Sequence, residues 1–357
     1  MPHQECRATL PGGVTVVYEV YGPASSQLTP VLLTPGGGGG RGAFRWLAQR
    51  LARETGRRCI VHDRVNTGAS TFTLGEQATQ PEWDLQADYT HLLLHQLGLA
   101  PAILLGKSNG SRLSLVMASK YPLDVAGLVL LNVTNGAKAA KKLSKSRYYQ
   151  MLDACACGGL ETVAREPHFA ELFEKNPENR ARLLACEPGR FMLTMRCWGE
   201  MLSKAGDSKA FPVTALSASL LQSIRQPALC VYMQPSKGED DGMHTLHAMQ
   251  SLHDCLSAAS GPTVVAADND QCVAAIVPFL GSVAAPEAAP PPPAEPFVFG
   301  AREGMYPQTP PAAELAAFQS YYADAARKLA HDAEASRKSL CSFGGLCDWM
   351  YSWKRYN

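Results

Sequence analysis

Residues 104–111 read LLGKSNGS and contain the stretch that decides the fold, Gly106-Lys107-Ser108-Asn109-Gly110. The apolar residues 102–105 before it predict a strand, and residues 111–120 after it predict a helix. Gly-x-Ser-x-Gly between a strand and a helix is typical of a nucleophile elbow, a sharp turn that holds a Ser hydroxyl above a sheet. The two glycines let the strand and helix backbones approach closely. We therefore predict that Ser108 is a catalytic nucleophile.

On both sides of this turn, short apolar runs alternate with longer amphipathic runs. Strands are predicted at residues 14–20, 31–33, 58–62, 102–105, 128–132, 228–233 and 263–267, and helices at residues 44–55, 84–97, 111–120, 245–256 and 273–280. Strands that alternate with helices predict an α/β fold, with a mostly parallel central sheet flanked by helices.

Two segments interrupt this alternation. Residues 137–222 are mostly helical in pattern, which predicts a helical cap inserted into a core made of residues 1–136 and 223–280. Residues 284–296 read AAPEAAPPPPAEP, and the four consecutive prolines favour a stiff extended chain. We predict a proline-rich linker at residues 281–296 and a helical C-terminal extension at residues 297–357.

Composition excludes several classes of protein. The chain has 357 residues, 46% of them hydrophobic, and a formal net charge of +1. A nearly neutral chain lacks the positive field of a general nucleic-acid binder. Its apolar runs are too short to span a membrane, and residues 1–10 show no secretory signal pattern. We expect a cytoplasmic protein that acts on a small molecule.

A glycine-rich loop follows the predicted strand at residues 31–33. It reads Thr34-Pro35-Gly36-Gly37-Gly38-Gly39-Gly40. Backbone N–H groups in such a loop can face a developing oxyanion without obstruction by side chains. We predict an oxyanion hole formed by Gly36, Gly37 and Gly38 together with Asn109, the residue after the nucleophile. A flexible glycine linker is the alternative.

Together these segments resemble the α/β-hydrolase superfamily, in its capped form with a serine nucleophile. The resemblance covers residues 7–280 and includes the turn at residues 10–13, LPGG, the glycine loop and the elbow. Residues 62–70, HDRVNTGAS, are similar to the Asp-Arg-x-x-x-Gly-x-Ser turn after the fourth strand of this superfamily. The resemblance implies hydrolysis of an ester, amide or related acyl bond, without a cofactor or metal. Ser at the elbow argues against the dehalogenase and epoxide hydrolase branches, which use a carboxylate.

The resemblance also implies a catalytic acid in the loop after the seventh strand. Asp241, three residues before His244, fits the family spacing, and Asp240 or Glu239 are alternatives. The family places its catalytic His just after the eighth strand, but residues 254–330 contain no His.

Three hypotheses address the missing base. His244 takes the role from the acid loop, His168 reaches down from the cap, or the base is absent and Asp268 or Asp270 occupies its place. Our leading interpretation assigns Ser108, Asp241 and His244 to the site. The alternative is a catalytically impaired protein of the same fold that binds a small apolar ligand.

His91 and His95 lie four residues apart on a predicted helix, a spacing that suits a metal. The sequence shows no third ligand at a suggestive spacing. We therefore interpret the pair as part of a solvated helix face and expect no metal site.

Overall fold

The computed structural model describes residues 4–284, except 38, 75–79, 208–212, 214–215 and 236–241, together with residues 290 and 291. Within this part of the chain, eight strands form one sheet in the order β1-β2-β4-β3-β5-β6-β7-β8. The strands are β1 (Gln4–Leu10), β2 (Val14–Tyr21), β3 (Val31–Thr34), β4 (Cys59–His62), β5 (Ala102–Lys107), β6 (Val125–Leu131), β7 (Ala228–Met233) and β8 (Val264–Ala266). Strand β2 pairs antiparallel with β1 and β4, and all other neighbours are parallel.

Helices cover both faces of this sheet. On one face lie α1 (Arg45–Thr55) and α11 (Asn269–Ser282); on the other lie α2 (Glu82–Gln96), α3 (Asn109–Lys120), α9 (Ala218–Ser223) and α10 (Leu246–Cys255). Successive strand side chains point to opposite faces, so Ile103 and Leu105 pack toward α1 and α11 while Leu104 packs toward α2 and α3. Burial on both faces explains why the strands read as unbroken apolar runs. The predicted α/β architecture is confirmed.

Between β6 and β7 the described chain is almost entirely helical. It forms α4 (Gly136–Leu143), a π-helix (Ser144–Tyr149), α5 (Gln150–Val163), α6 (Pro167–Lys175), α7 (Glu178–Leu184), α8 (Pro188–Asp207) and α9. Buried polar contacts hold this segment against the core. The Tyr148 hydroxyl donates to Glu82 Oε2 at 2.6 Å, and the Asn179 amide donates to the Ser70 carbonyl at 2.9 Å. The helical segment therefore rests on α2 and on the loop that follows β4.

The last described helix of the sheet layers is α11. Helix α11 begins at Asn269, because the Asp268 side chain caps it, and continues to Ser282. Of the predicted linker, only residues 281–284, 290 and 291 are described, and the predicted extension at residues 297–357 lies outside the described residues. None of the helices in the described part of the chain is both long enough and apolar enough to cross a membrane.

The interpretation of His91 and His95 as a solvated helix face is wrong. Their side chains are only 10% and 9% exposed and both face Asp124, which ends a short 3-10 turn before β6. Helix α2 is buried on nearly every side, so no polar stripe in its sequence marks a solvent face. Asp124 comes 29 residues after His95, too far along the chain for a spacing rule to connect them.

Candidate active site

Ser108 occupies a sharp turn between β5 and α3. Its backbone has φ 54° and ψ −115°, in the left-handed half of conformational space that residues other than glycine rarely adopt. The flanking glycines are required by close packing: a Cβ on Gly106 would lie 2.3 Å from the Gly110 carbonyl carbon, and one on Gly110 would lie 2.0 Å from the Thr34 oxygen. The Ser108 N–H donates to the Leu131 carbonyl at 2.9 Å, which fixes the turn against β6.

Two further side chains meet the Ser108 hydroxyl. His244 Nε2 lies 2.8 Å from Ser108 Oγ, and Thr134 Oγ1 also lies 2.8 Å from Ser108 Oγ. Thr134 Oγ1 and His244 Nε2 are 3.4 Å apart. These residues follow β5, β6 and β7, whose carboxyl ends meet at one edge of the parallel sheet. An imidazole nitrogen at this distance is positioned to accept the serine proton.

The other candidate bases have different roles. Burial, together with the charge of Arg147, lowers the pKa of His168 to about 4, and His168 is not among the residues that line the cavity beside Ser108. Asp268 accepts the Gln271 N–H at 2.8 Å as the cap of α11. Asp270 pairs with Arg50. After β8, where the resemblance implies a His, the residues that line the cavity are Asn269 and Cys272.

Four predicted site residues are not covered by the structure. Gly38, Glu239, Asp240 and Asp241 lie outside the described residues. The assignment of Asp241 as the acid and of Gly38 to the oxyanion hole therefore stays a prediction.

The glycine loop lies directly against the elbow. A Cβ on Gly36 would lie 2.9 Å from Ser108 Cβ and 3.0 Å from the Lys107 oxygen. Gly37 has φ 50°, and a Gly39 N–H···O bond to the Gly36 carbonyl, 3.0 Å long, closes the turn. Gly36 and Gly37 line the same cavity as Ser108. The loop backbone is thus packed so closely against Ser108 that a side chain at Gly36 would clash with it.

Arg64 ties this loop to the core. Its Nη2 donates to the Gly37 carbonyl at 2.5 Å, and its Nη1 donates to Gln86 Oε1 at 3.1 Å. Burial, reinforced by the charge of Arg147, lowers the Arg64 pKa to about 10, so Arg64 is still a cation at neutral pH. The orientation of the Gly37 carbonyl is therefore set by a partly buried charge-assisted hydrogen bond.

Asn109 is the first residue of α3. The first N–H groups of a helix have no acceptor within the helix, and the helix dipole favours negative charge nearby. Asn109 lines the cavity beside Ser108. Its N–H is thus available as a donor next to Ser108.

Sequence reasoning missed Thr134 and Arg64. Thr134 follows β6. Residues that follow the carboxyl ends of parallel strands often form the site, so its position in the sequence could have identified Thr134. Arg64 is part of residues 62–70, which were used only to recognise the fold. The link from Arg64 to Gly37 spans 27 residues and depends on the pairing of β3 with β4.

The cavity above Ser108 has a volume of about 420 Å³. Its apolar lining consists of Pro35, Ala43, Phe44, Trp46, Leu47, Leu131, Leu143, Met233 and Met243. Its polar lining consists of Lys107, Ser108, Asn109, Thr134, His244 and Asn269, and Cys272 of α11 also lines it. This volume is in the range of small-molecule sites, with a few polar groups converging at one end of an apolar space.

Comparison with known proteins agrees with this architecture. Residues 29–153 match the model of a family described as having the alpha/beta hydrolase fold. A Cronobacter turicensis protein inferred to be the carbamate hydrolase RutD is 31% identical over 160 residues, which are 44% of this chain and 57% of the relative. The sn-1-specific diacylglycerol lipase ABHD11 of Mus musculus is 32% identical over 96 residues, 27% of this chain and 30% of the relative. This chain thus spans about half or less of the length of these relatives.

Solved structures show the same fold. A crystal structure from Acinetobacter baumannii AYE, assigned as a lipase, superposes with a TM-score of 0.53 at 17% identity, covering 79% of this chain and 92% of that one. At this identity the likeness concerns the fold alone. The matched family model over residues 29–153, the sheet order and the elbow geometry together show that the chain has the α/β-hydrolase fold.

Proposed function

We propose that this protein is a serine hydrolase that cleaves an ester, amide or related acyl bond of a small molecule. The observation that carries the proposal is the 2.8 Å separation of Ser108 Oγ and His244 Nε2, with Ser108 held at φ 54°. The hydrolase names of the relatives support it. A serine hydroxyl needs an adjacent base to become a good nucleophile, and this geometry supplies one.

The proposed reaction proceeds through an acyl-enzyme. Ser108 Oγ attacks the carbonyl carbon while its proton moves to His244 Nε2. The N–H groups of Gly37 and Asn109 stabilise the negative oxygen of the tetrahedral intermediate. The intermediate collapses as protonated His244 gives its proton to the leaving group. Water then attacks the acyl carbon with His244 again as base, which restores the Ser108 hydroxyl.

Thr134 shares in this arrangement. When Ser108 donates to His244, the Thr134 hydroxyl can donate to Ser108 Oγ at 2.8 Å. That hydrogen bond strengthens as negative charge develops on the attacking oxygen. Thr134 thus assists the nucleophile without taking its proton.

The cavity lining supports a proposal for the substrate class. Its wall is mainly apolar, so burial of an acyl chain supplies most of the binding energy. Its volume of about 420 Å³ accommodates a small molecule. We propose short to medium acyl esters or amides as substrates, with no cofactor.

A second candidate function is binding of a small apolar ligand without catalysis. The observation that favours it is that Asn269 and the capping residue Asp268 follow β8, where the family has its catalytic His. In that case the contact of Ser108 with His244 is only a structural hydrogen bond.

One experiment distinguishes the two functions. The purified full chain is treated with a fluorophosphonate probe and assayed against 4-nitrophenyl acetate and butyrate. Wild type and a control variant, Ser223→Ala on the exposed end of α9, should be labelled and active. Ser108→Ala should lose labelling entirely, and His244→Gln should slow it at least 100-fold. Absence of labelling and turnover in wild type would exclude the hydrolase and favour the binding protein.

A further inference from the structure

Three potential metal ligands converge at the edge of the sheet opposite the catalytic elbow. His91 Nδ1 lies 2.5 Å from Asp124 Oδ2, and His95 Nε2 lies 2.9 Å from Asp124 Oδ1. All the ligand atoms of this cluster lie within 4.8 Å of one another. His91 and His95 are one helical turn apart on α2, while Asp124 comes from the turn before β6.

The cluster is buried and its rings are held in place. The Asp124 side chain is 4% exposed, and the two His side chains are nearly as well covered. The His91 ring stacks on Tyr121 with centroids 4.1 Å apart and planes 7° from parallel. The Tyr121 hydroxyl in turn donates to Asp88 at 2.7 Å. Ligands whose positions are fixed by packing need little reorganisation when an ion binds.

We propose that His91, His95 and Asp124 form a structural Zn²⁺ site. Two imidazole nitrogens and a carboxylate are donors that zinc accepts at bond lengths of about 2.0–2.2 Å, with water as a further ligand. Donor atoms in a tetrahedral zinc site stand about 3.3 Å apart. To bind zinc, the two nitrogen–oxygen distances must each open by less than 1 Å, and the two ligating nitrogens, which lie within 4.8 Å of each other, must come to a similar separation. The ring proton of each His then sits on the nitrogen that does not face the ion.

The location makes the site structural rather than catalytic. Asp124 directly precedes β6, whose far end, Leu131, accepts the hydrogen bond from Ser108. A seven-residue strand is about 20 Å long, so an ion at Asp124 lies well outside the catalytic cavity. Zinc there would cross-link the C-terminal half of α2 to the connection between α3 and β6.

The test is zinc titration of the EDTA-treated full chain, followed by calorimetry and thermal unfolding. Wild type should bind one zinc tightly at this site and gain about 5 °C in Tm at saturating metal, whereas Mg²⁺ should have little effect. His95→Gln keeps an amide donor for Asp124 but should lose the tight site and the gain in Tm. The matched control His253→Gln, on α10, should behave as wild type.

The controls also separate this site from thiol binding. The described cysteines are free thiols, and zinc held by them would persist in His95→Gln. Equal zinc binding by wild type and His95→Gln, or no gain in Tm in wild type, would overturn the proposal and leave a hydrogen-bonded cluster only. If His95→Gln fails to fold, the titration is repeated on wild type whose thiols have been alkylated, and loss of the tight site there would overturn the proposal. Fluorophosphonate labelling of Ser108 should be unchanged by EDTA, so the outcome is independent of the proposed hydrolase function.

Discussion

Replacing Gly36 with Ala tests whether the glycine loop forms the oxyanion hole. The added Cβ would lie 2.9 Å from Ser108 Cβ, whereas ordinary contacts begin at 3.4 Å, so the two must separate by about 0.5 Å (3.4 minus 2.9). The Lys107 carbonyl, 3.0 Å away, blocks a sideways shift. Since β5 and α3 hold Ser108, the loop is the part that moves.

A displacement of this size has a calculable cost to catalysis. Misplacing reacting groups by 1 Å costs about 100-fold in rate. A displacement of about 0.5 Å should therefore lower kcat about tenfold, equivalent to about 1.4 kcal/mol in the barrier. The same overpacking should cost about 1–2 kcal/mol in stability, partly offset by the lower entropy of the unfolded alanine variant.

The assay measures kcat and KM for 4-nitrophenyl acetate, and the Tm of each variant shows whether it stays folded. The matched control is Gly42→Ala, since a Cβ on Gly42 meets nothing within 4 Å. We expect Gly42→Ala to keep wild-type kcat and Gly36→Ala to lose it while staying folded. A folded Gly36→Ala protein with kcat within twofold of wild type would refute the assignment of this loop.

Three other substitutions test the glycine loop, the predicted catalytic carboxylate and the stability of the fold at low pH. Arg64→Met should lower kcat about tenfold with KM changed less than threefold, because the Gly37 carbonyl loses its donor; steady-state kinetics measure the split. Asp241→Asn should lower kcat at least 100-fold in the same assay, whereas Asp240→Asn should stay within twofold. Burial alone would raise the pKa of Glu19, but hydrogen bonds led by that from Arg45 lower it to about 2 from 4.5. Ionised Glu19 therefore contributes up to about 3 kcal/mol to the free energy of unfolding above pH 4.5, and this contribution is lost as pH falls toward 2. In urea unfolding from pH 2 to 7, the stability of Glu19→Gln should fall less steeply at acid pH than that of wild type.

Much of the fold could be predicted because its signals are local. Each strand of the sheet interior, such as residues 102–105, is apolar at successive positions because helices cover both faces. The elbow was equally local: two glycines four residues apart, Gly106 and Gly110, and the intervening Ser108 specify the turn. The interpretation of His91 and His95 as a solvated face failed because α2 is buried by elements distant in sequence. Nothing in the sequence of α2 itself indicates those contacts.

The site could be predicted only in part, for the same reason. Ser108 and the glycine loop are defined by short motifs, whereas Thr134 and Arg64 contribute through contacts across strands. His244 belonged to one of three hypotheses for the base, beside His168 and the pair Asp268 and Asp270. Their distances to Ser108 depend on how the loops after the strands fold over the sheet edge, and residue types alone do not give those distances.

We expect the geometry of the loop that carries His244 to affect kcat. Gly242, two residues earlier, has φ 68° and open space around its Cβ position. Gly261 has φ 64° and the same open space, but lies in the loop before β8. Ala at either position pays about the same left-handed strain, about 1–2 kcal/mol. We expect Gly242→Ala alone to lower kcat, because only its loop carries the imidazole that meets Ser108. Kinetics and Tm measured on both variants decide the matter: an equal fall in kcat would mean that strain acts through global stability and that the geometry of the His244 loop is not limiting.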